Sequence, residues 1–313
     1  MPSRSALIAI DWGTTSARAY RLDGAGVVAD TRAAPLGVSQ VEANRFADAL
    51  AALLGDWATL PVPRLACGMI GSRQGWVEAP YLECPVALAA LADALVPVPG
   101  DRMLVVPGLR TRDANGMPDV MRGEETQVLG AAAADAGPTL FVLPGTHSKW
   151  AFVEQGRVVD FVTYMTGEFW QVLLRHSILG RLAVGGVDSS DGATPAFLRG
   201  VARGAGNGGF LHDVFGARTQ VLLGELAGED VADWLSGLLI GREVRNARLW
   251  AHRHGLDASR VHVVGDDGLV ARYAAALHAG DVTATYADSR AAAFGLWRIA
   301  VQAGLVHPDQ DHP

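Results

Sequence analysis

In "AIDWGTTSARAY" an aspartate, Asp11, closes an apolar run and is followed by Gly13, Thr14, Thr15 and then Arg18. A carboxylate at such a place suits Mg2+, and a glycine turn rich in hydroxyls and amides suits phosphate oxygens. A second stretch, "LPGTHSKWAF", offers Gly145, Thr146 and Lys149 in a similar arrangement. Either stretch alone reads equally as an ordinary hairpin with a polar tip. What separates the two readings is the pair of them, and hence the elements that carry them.

Ala6 to Ile10 has the apolar, partly β-branched pattern of a buried strand, and Ala17 to Leu22 that of a second. A turn at Asp23–Gly26 leads to a third run from Val27 to Ala29, giving an antiparallel meander. Thr139 to Glu168 repeats the plan: an apolar strand, a Gly-Thr turn, a second strand, a Gln-Gly-Arg turn and a third strand. This is an internal repeat of supersecondary structure. It predicts an α/β chain of two similar domains that present both hairpins to one triphosphate in the cleft between them.

The remaining pattern supports two such halves. Helices are expected over Glu42–Trp57, Val86–Leu95 and Glu124–Ala134 in the first, with strands at Arg64–Ile70 and Met103–Val106. The second half should hold helices at Phe169–His176, Ala196–Arg203, Gln220–Leu226 and Val231–His252. It should then end in two β-α units, Val261–Val264 with Leu269–His278 and Val282–Thr285 with Ser289–Val301. Ala, Gly and Pro near Ala136–Pro138 break the chain into domains 1–136 and 137–313.

Composition narrows the function classes. The chain has 313 residues, 50% hydrophobic and 19% charged, enough to bury two cores. A net charge of −7 without basic runs argues against nucleic acid or an anionic membrane as partner. Cys67 and Cys84 match no metal or redox spacing, and nothing resembles a signal peptide or an apolar span of roughly 18 residues. A cytoplasmic location is therefore expected. "GAGNGG" at Gly204–Gly209 formally matches a dinucleotide fingerprint, but the segment before it reads as helix rather than strand. "GTHSKW" lacks the order of a Walker loop, and His147 has no partners at metal-ligand spacing.

The whole chain resembles the actin-like ATPase superfamily of sugar kinases, hexokinase and the heat-shock ATPase, whose domains are ribonuclease H-like. "AIDWGTTSARAY" is similar to its first phosphate motif, "LPGTHSKWAF" to its second and "VHVVGDDGLVARYAAAL" to its adenosine motif. Within it, "CGMIGSRQGW", "MRGEETQ", "LPGTHSKW" and "TYMTGEFW" together resemble the 2-dehydro-3-deoxygalactonokinase family. The resemblance implies ATP and Mg2+, with phosphorylation of 2-dehydro-3-deoxy-D-galactonate at O6 in galactonate breakdown. On that reading Asp11 holds Mg2+, Gly13, Thr14, Thr15, Gly145 and Thr146 line the phosphates, Lys149 or Arg18 adds positive charge, and Gly265 admits adenine.

One departure matters: Pro144 stands where many sugar kinases carry an aspartate that can act as base. The base is then expected in "RGEETQ", as Glu124 or Glu125, which project about 100 degrees apart on a helix, so that one of them serves. Acidic residues in a first turn also simply complement the helix dipole; Glu168 and Asp119 are weaker candidates. A sugar-acid carboxylate calls for a guanidinium, and Arg73 or Arg122 supplies it, with Ser72 and Gln74 lining the site and Trp76 as an apolar wall. The alternatives are a kinase for another sugar acid or sugar, and a noncatalytic ATP- or sugar-binding regulator. Oligomeric state is open, a homodimer included.

Overall fold

A computed structural model describes residues 5–42, 45–132, 137–184, 192–265 and 267–308. Leu7 to Ile10 are fully buried, and an apolar run covered on both faces forms the strand β1 (Ser5–Trp12). β2 (Ala17–Asp23) and β3 (Val28–Ala34) follow antiparallel, and the register sets Asp11 opposite Arg18. Asp23 makes the turn between them by accepting from the amides of Ala25 and Val27, each at 3.0 Å. After α1 (Phe46–Leu54), β4 (Arg64–Gly68) lies parallel to β1 with Cys67 beside Asp11.

The first half continues with β5 (Tyr81–Glu83), β6 (Val86–Ala87), α2 (Leu88–Asp93), β7 (Val96–Pro97), β8 (Met103–Val105), β9 (Gly108–Arg112), β10 (Pro118–Met121) and α3 (Glu124–Ala131). Its main sheet has the order β3-β2-β1-β4-β8-β7, and β10-β9-β5 form a small separate sheet that the sequence pattern does not announce. Ile8, Ile10 and Trp12 of β1 pack with Phe46, Leu50 and Leu54 of α1 in this half's core.

The second half holds β11 (Thr139–Leu143), β12 (Ser148–Glu154), β13 (Arg157–Tyr164), α4 (Thr166–His176), α5 (Pro195–Ala205), α6 (Phe210–Leu222), α7 (Val231–Arg253), β14 (Arg260–Val263), α8 (Asp267–His278), β15 (Thr283–Tyr286) and α9 (Ala291–Gln302). Its strands run β15-β14-β11-β12-β13, the same order as β8-β4-β1-β2-β3. The repeat read from the two hairpins is thus a repeat of whole sheets, the doubled α/β plan that the sequence predicts.

Two compact units emerge: Met1–Gly137 with Val153–Phe161 and Asp288–Pro313, and Pro138–Phe152 with Val162–Ala287. The expected domains 1–136 and 137–313 do not describe this division, and Ala136, at the expected break, lies outside the described residues. α9 packs in the first unit because glycines let it approach α3 closely. A Cβ on Gly130 would meet the Ala291 carbonyl at 1.9 Å, and one on Gly295 the Thr126 carbonyl at 1.9 Å. The far end of the second meander also belongs there, Arg157 and Val158 pairing with Ala87 and Val86 of β6.

Other differences are local. α1 is shorter than the helix expected over Glu42–Trp57, and residues 43–44 of that span lie outside the described residues. Val86 and Ala87 are strand before α2 begins. α6 starts at Phe210, ten residues before the expected Gln220. "GAGNGG" joins α5 to α6 with no strand before it, so it has no dinucleotide-binding context. Among the described residues no helix is long and apolar enough to cross a membrane.

Candidate active site

In the first unit the site begins where β1 and β4 end. The Gly13 amide donates to the Ser16 carbonyl at 2.9 Å, closing the hairpin tip, while the amides of Val38 and Ser39 donate to the Gly13 and Thr14 carbonyls at 3.0 Å each. Trp12 is buried and its indole donates to the Leu36 carbonyl at 2.6 Å. The tip is therefore held from behind while Thr14, Thr15 and Ser16 stay exposed. Asp11 is partly buried below them. Burial pushes the Tyr20 hydroxyl up to about 12, Asp11 adds to the shift, and Arg18 hydrogen-bonds that same hydroxyl.

Cys67 Sγ lies 3.9 Å from Asp11 Oδ1. Burial raises its thiol well above the usual range, and the charges of Asp11, Glu125 and Glu124 raise it further. Two positive-φ glycines make this convergence possible: Gly68 (φ 91°) ends β4 and Gly123 (φ 108°) precedes α3, and a Cβ on Gly123 would sit 3.1 Å from the Gly68 Cα. Asp11 and the "RGEETQ" glutamates, far apart in sequence, thus share one corner of the unit.

The two glutamates differ sharply there. Glu125 is fully buried; its oxygens accept from the Gly123 amide at 2.9 and 2.7 Å and from the Thr126 hydroxyl at 3.1 Å. Burial first, and the neighbouring Glu124 charge second, push its carboxyl up to about 8. Glu124 is partly exposed, and its Oε2 accepts from the Arg122 amide at 3.0 Å. Only Glu124 offers a face to an incoming molecule. Asp119 sits on β10 accepting from the Val120 amide at 2.7 Å.

The "GSRQGW" loop sorts its residues differently from the sequence expectation. Arg73 and Gln74 are exposed, and Arg73 Nε meets Glu78 Oε1 at 3.5 Å. Ser72 is buried and its hydroxyl has no hydrogen-bond partner among the described residues. Trp76, instead of walling an open site, stacks on Phe46 with ring centroids 6.3 Å apart at 16°. Arg122 is buried too. It donates to the Ala79 carbonyl at 2.7 Å and lies over the Tyr81 ring at 4.3 Å, so its guanidinium braces the loop from inside.

The second unit holds the other hairpin. Thr146 and His147 are exposed at its tip with Gly145 beside them. Lys149 departs from expectation: its side chain is buried and its ammonium donates to the His147 carbonyl at 3.1 Å, tying the tip instead of facing outward. Gly265 follows β14, and a Cβ there would lie 3.6 Å from Pro144 Cδ, so this turn abuts the residue just before Gly145. Glu168, in the first turn of α4, donates its amide to the Thr146 carbonyl at 2.9 Å and takes a short hydrogen bond from His147 Nε2. Sequence reasoning did not find Cys67, Thr166 or Glu243. For Glu243 the signal was present, a lone carboxylate on the apolar stretch of α7.

The family described as 2-keto-3-deoxy-galactonokinase matches residues 11–299. The chain belongs to this family. Its relatives include the 2-dehydro-3-deoxygalactonokinase of Escherichia coli strain K12, 38% identical over 286 residues that cover 90% of this chain and 93% of that protein. A solved structure of a Sinorhizobium meliloti protein, assigned as a 2-dehydro-3-deoxygalactonokinase, superposes with a TM-score of 0.85 at 36% identity over 94% of this chain and 98% of that one. The fold extends further: component A of the (R)-2-hydroxyglutaryl-CoA dehydratase of Acidaminococcus fermentans matches with a TM-score of 0.51 at 13% identity, over 95% of this chain and 98% of that one. This 2-keto-3-deoxy-galactonokinase family member is thus a phosphotransferase on a two-domain actin-like ATPase fold.

Proposed function

We propose that the protein transfers the γ-phosphoryl group of ATP to O6 of 2-dehydro-3-deoxy-D-galactonate, releasing ADP, in the cytoplasm during galactonate breakdown. The observation that carries this reading is the family match over residues 11–299. Phosphoryl transfer asks the protein chiefly to position phosphates and acceptor and to take one proton.

The residues divide the work as follows. Thr14, Thr15, Gly145 and Thr146 donate to phosphate oxygens, and Gly265 gives adenine room against the backbone. Among the described residues no three His, Cys, Asp or Glu side chains gather closely enough to hold a metal by themselves. Mg2+ keeps several waters and takes other ligands from phosphates. Asp11 would hold it, and the ion would neutralise phosphate charge. Glu124, the exposed carboxylate of the pair, accepts the proton of the sugar-acid hydroxyl. As it does so the new O–P bond forms and the bond from the γ-phosphorus to the ADP oxygen breaks, ADP keeping that electron pair. Arg73 takes the substrate carboxylate, which displaces the exposed Glu78 carboxylate now beside it.

The product distinguishes this reading from its neighbours. After incubation with MgATP, phosphorus–proton correlation NMR is expected to show the new phosphate coupled to the terminal methylene of the sugar acid. Coupling to any other carbon rejects O6, and absence of a phosphorylated product rejects the activity.

A further inference from the structure

Glu243 lies in the middle of α7, fully buried, yet hydroxyl and indole donors from three elements converge on its carboxylate. Ser148 Oγ donates to Oε1 at 2.6 Å and Trp150 Nε1 to the same oxygen at 2.8 Å, both from β12 directly after the Gly-Thr turn. Tyr273 of α8 donates to Oε2 at 2.8 Å, and Thr166, the first residue of α4, makes a short hydrogen bond to that oxygen as well. Each donor sits next to a feature assigned to the nucleotide. Ser148 follows Gly145–His147, and α8 follows Gly265. The first turn of α4 touches the hairpin tip: a Cβ on Gly167 would meet the Gly145 carbonyl at 2.4 Å and the Thr146 Cα at 2.9 Å. Gly145, Thr166, Gly167, Leu269 and Tyr273 line one cavity of about 70 Å³ beside that tip.

We propose that Glu243 is a positioning residue for the nucleotide, fixing the second Gly-Thr turn, the start of α4 and α8 in one preformed phosphate- and adenosine-binding surface. This rests on the kinase reading above. Burial raises the Glu243 pKa while the hydrogen bonds from Ser148, Thr166, Trp150 and Tyr273 oppose the rise. A purely scaffolding carboxylate would need no such link to the turn; here the donors come from the segments that flank it. Pre-organised donors spare a ligand the cost of ordering them.

The test compares Glu243→Gln with Thr166→Val, which keeps its volume and removes one donor. Steady-state kinetics and calorimetric titration of MgATP into the unsubstituted full chain and each variant read the effect, with melting temperatures recorded without ligand. In Glu243→Gln, the KM and dissociation constant for ATP are expected to rise about tenfold, since the amide cannot accept from all four donors. The KM for the sugar acid should stay put, and Thr166→Val should show a smaller rise of the same kind. A lower melting temperature or active fraction with unchanged ATP constants in both variants would reduce Glu243 to a structural role and overturn the proposal; should Glu243→Gln fail to fold, unchanged ATP constants in Thr166→Val decide alike. Absence of ATP binding by the unsubstituted protein overturns the kinase reading, and this proposal with it.

Discussion

Glu124→Gln is expected to lower kcat by about 10²- to 10⁴-fold, the loss typical of removing a general base, while the affinity for ATP barely changes. Its neighbour supplies the control. With its pKa pushed up to about 8, Glu125 carries a proton at neutral pH, so Gln reproduces its charge and shape there and Glu125→Gln should keep near-normal kcat at pH 7. Glu125 instead shapes stability. Its unfolded carboxyl releases its proton near 4.5, whereas the folded one holds it up to about 8. Across that interval the folded state binds more protons than the unfolded chain, so stability falls as pH rises through it and levels off above about 8. Glu125→Gln should flatten that fall in ligand-free protein, measured by denaturant midpoints from pH 5 to 9. A large kcat loss in Glu125→Gln with normal turnover in Glu124→Gln would exchange the two roles.

Asp11→Asn should cost about 10- to 100-fold in turnover at fixed Mg2+, the range for residues that hold a metal through its immediate surroundings. Asn keeps the size of Asp11 and still borders Cys67 on β4, so the fold should survive. The loss should shrink as Mg2+ is raised, because the carboxylate contributes to holding the ion and not to proton transfer. Removing the charge also takes away one influence that raises the Tyr20 and Cys67 pKa values, so both should fall modestly by direct titration. Activity independent of the Mg2+ concentration and equal to that of the parent protein would take Asp11 out of the site.

The repeat was legible because its signal is local. An apolar strand, a Gly-Thr turn and a second strand can be read within one window, and the doubled sheet order follows from it. The small β10-β9-β5 sheet escaped because Tyr81 and Glu83 are exposed in a strand of three residues, leaving no alternation to read. α6 was foreshortened by Gly216 and by exposed Leu211 and Leu222, which obscure its apolar face. The place of α9 depends on Gly130 meeting Ala291, a contact across the length of the chain that no window contains. Site chemistry was legible by residue type but not by direction. Glu124 and Glu125 are the same residue side by side, and only burial separates them. Lys149 and Arg122 were sound choices for anions, yet one turns back on its own hairpin and the other braces the Ala79 carbonyl.

The central claim, a kinase for this sugar acid, meets its most direct test in ADP release under saturating MgATP with a panel of 2-keto-3-deoxy sugar acids and neutral sugars. The highest kcat/KM is expected for 2-dehydro-3-deoxy-D-galactonate, about 10²-fold or more above neutral sugars that lack the carboxylate. Faster turnover of a neutral sugar, or no ADP with any member of the panel, would contradict it.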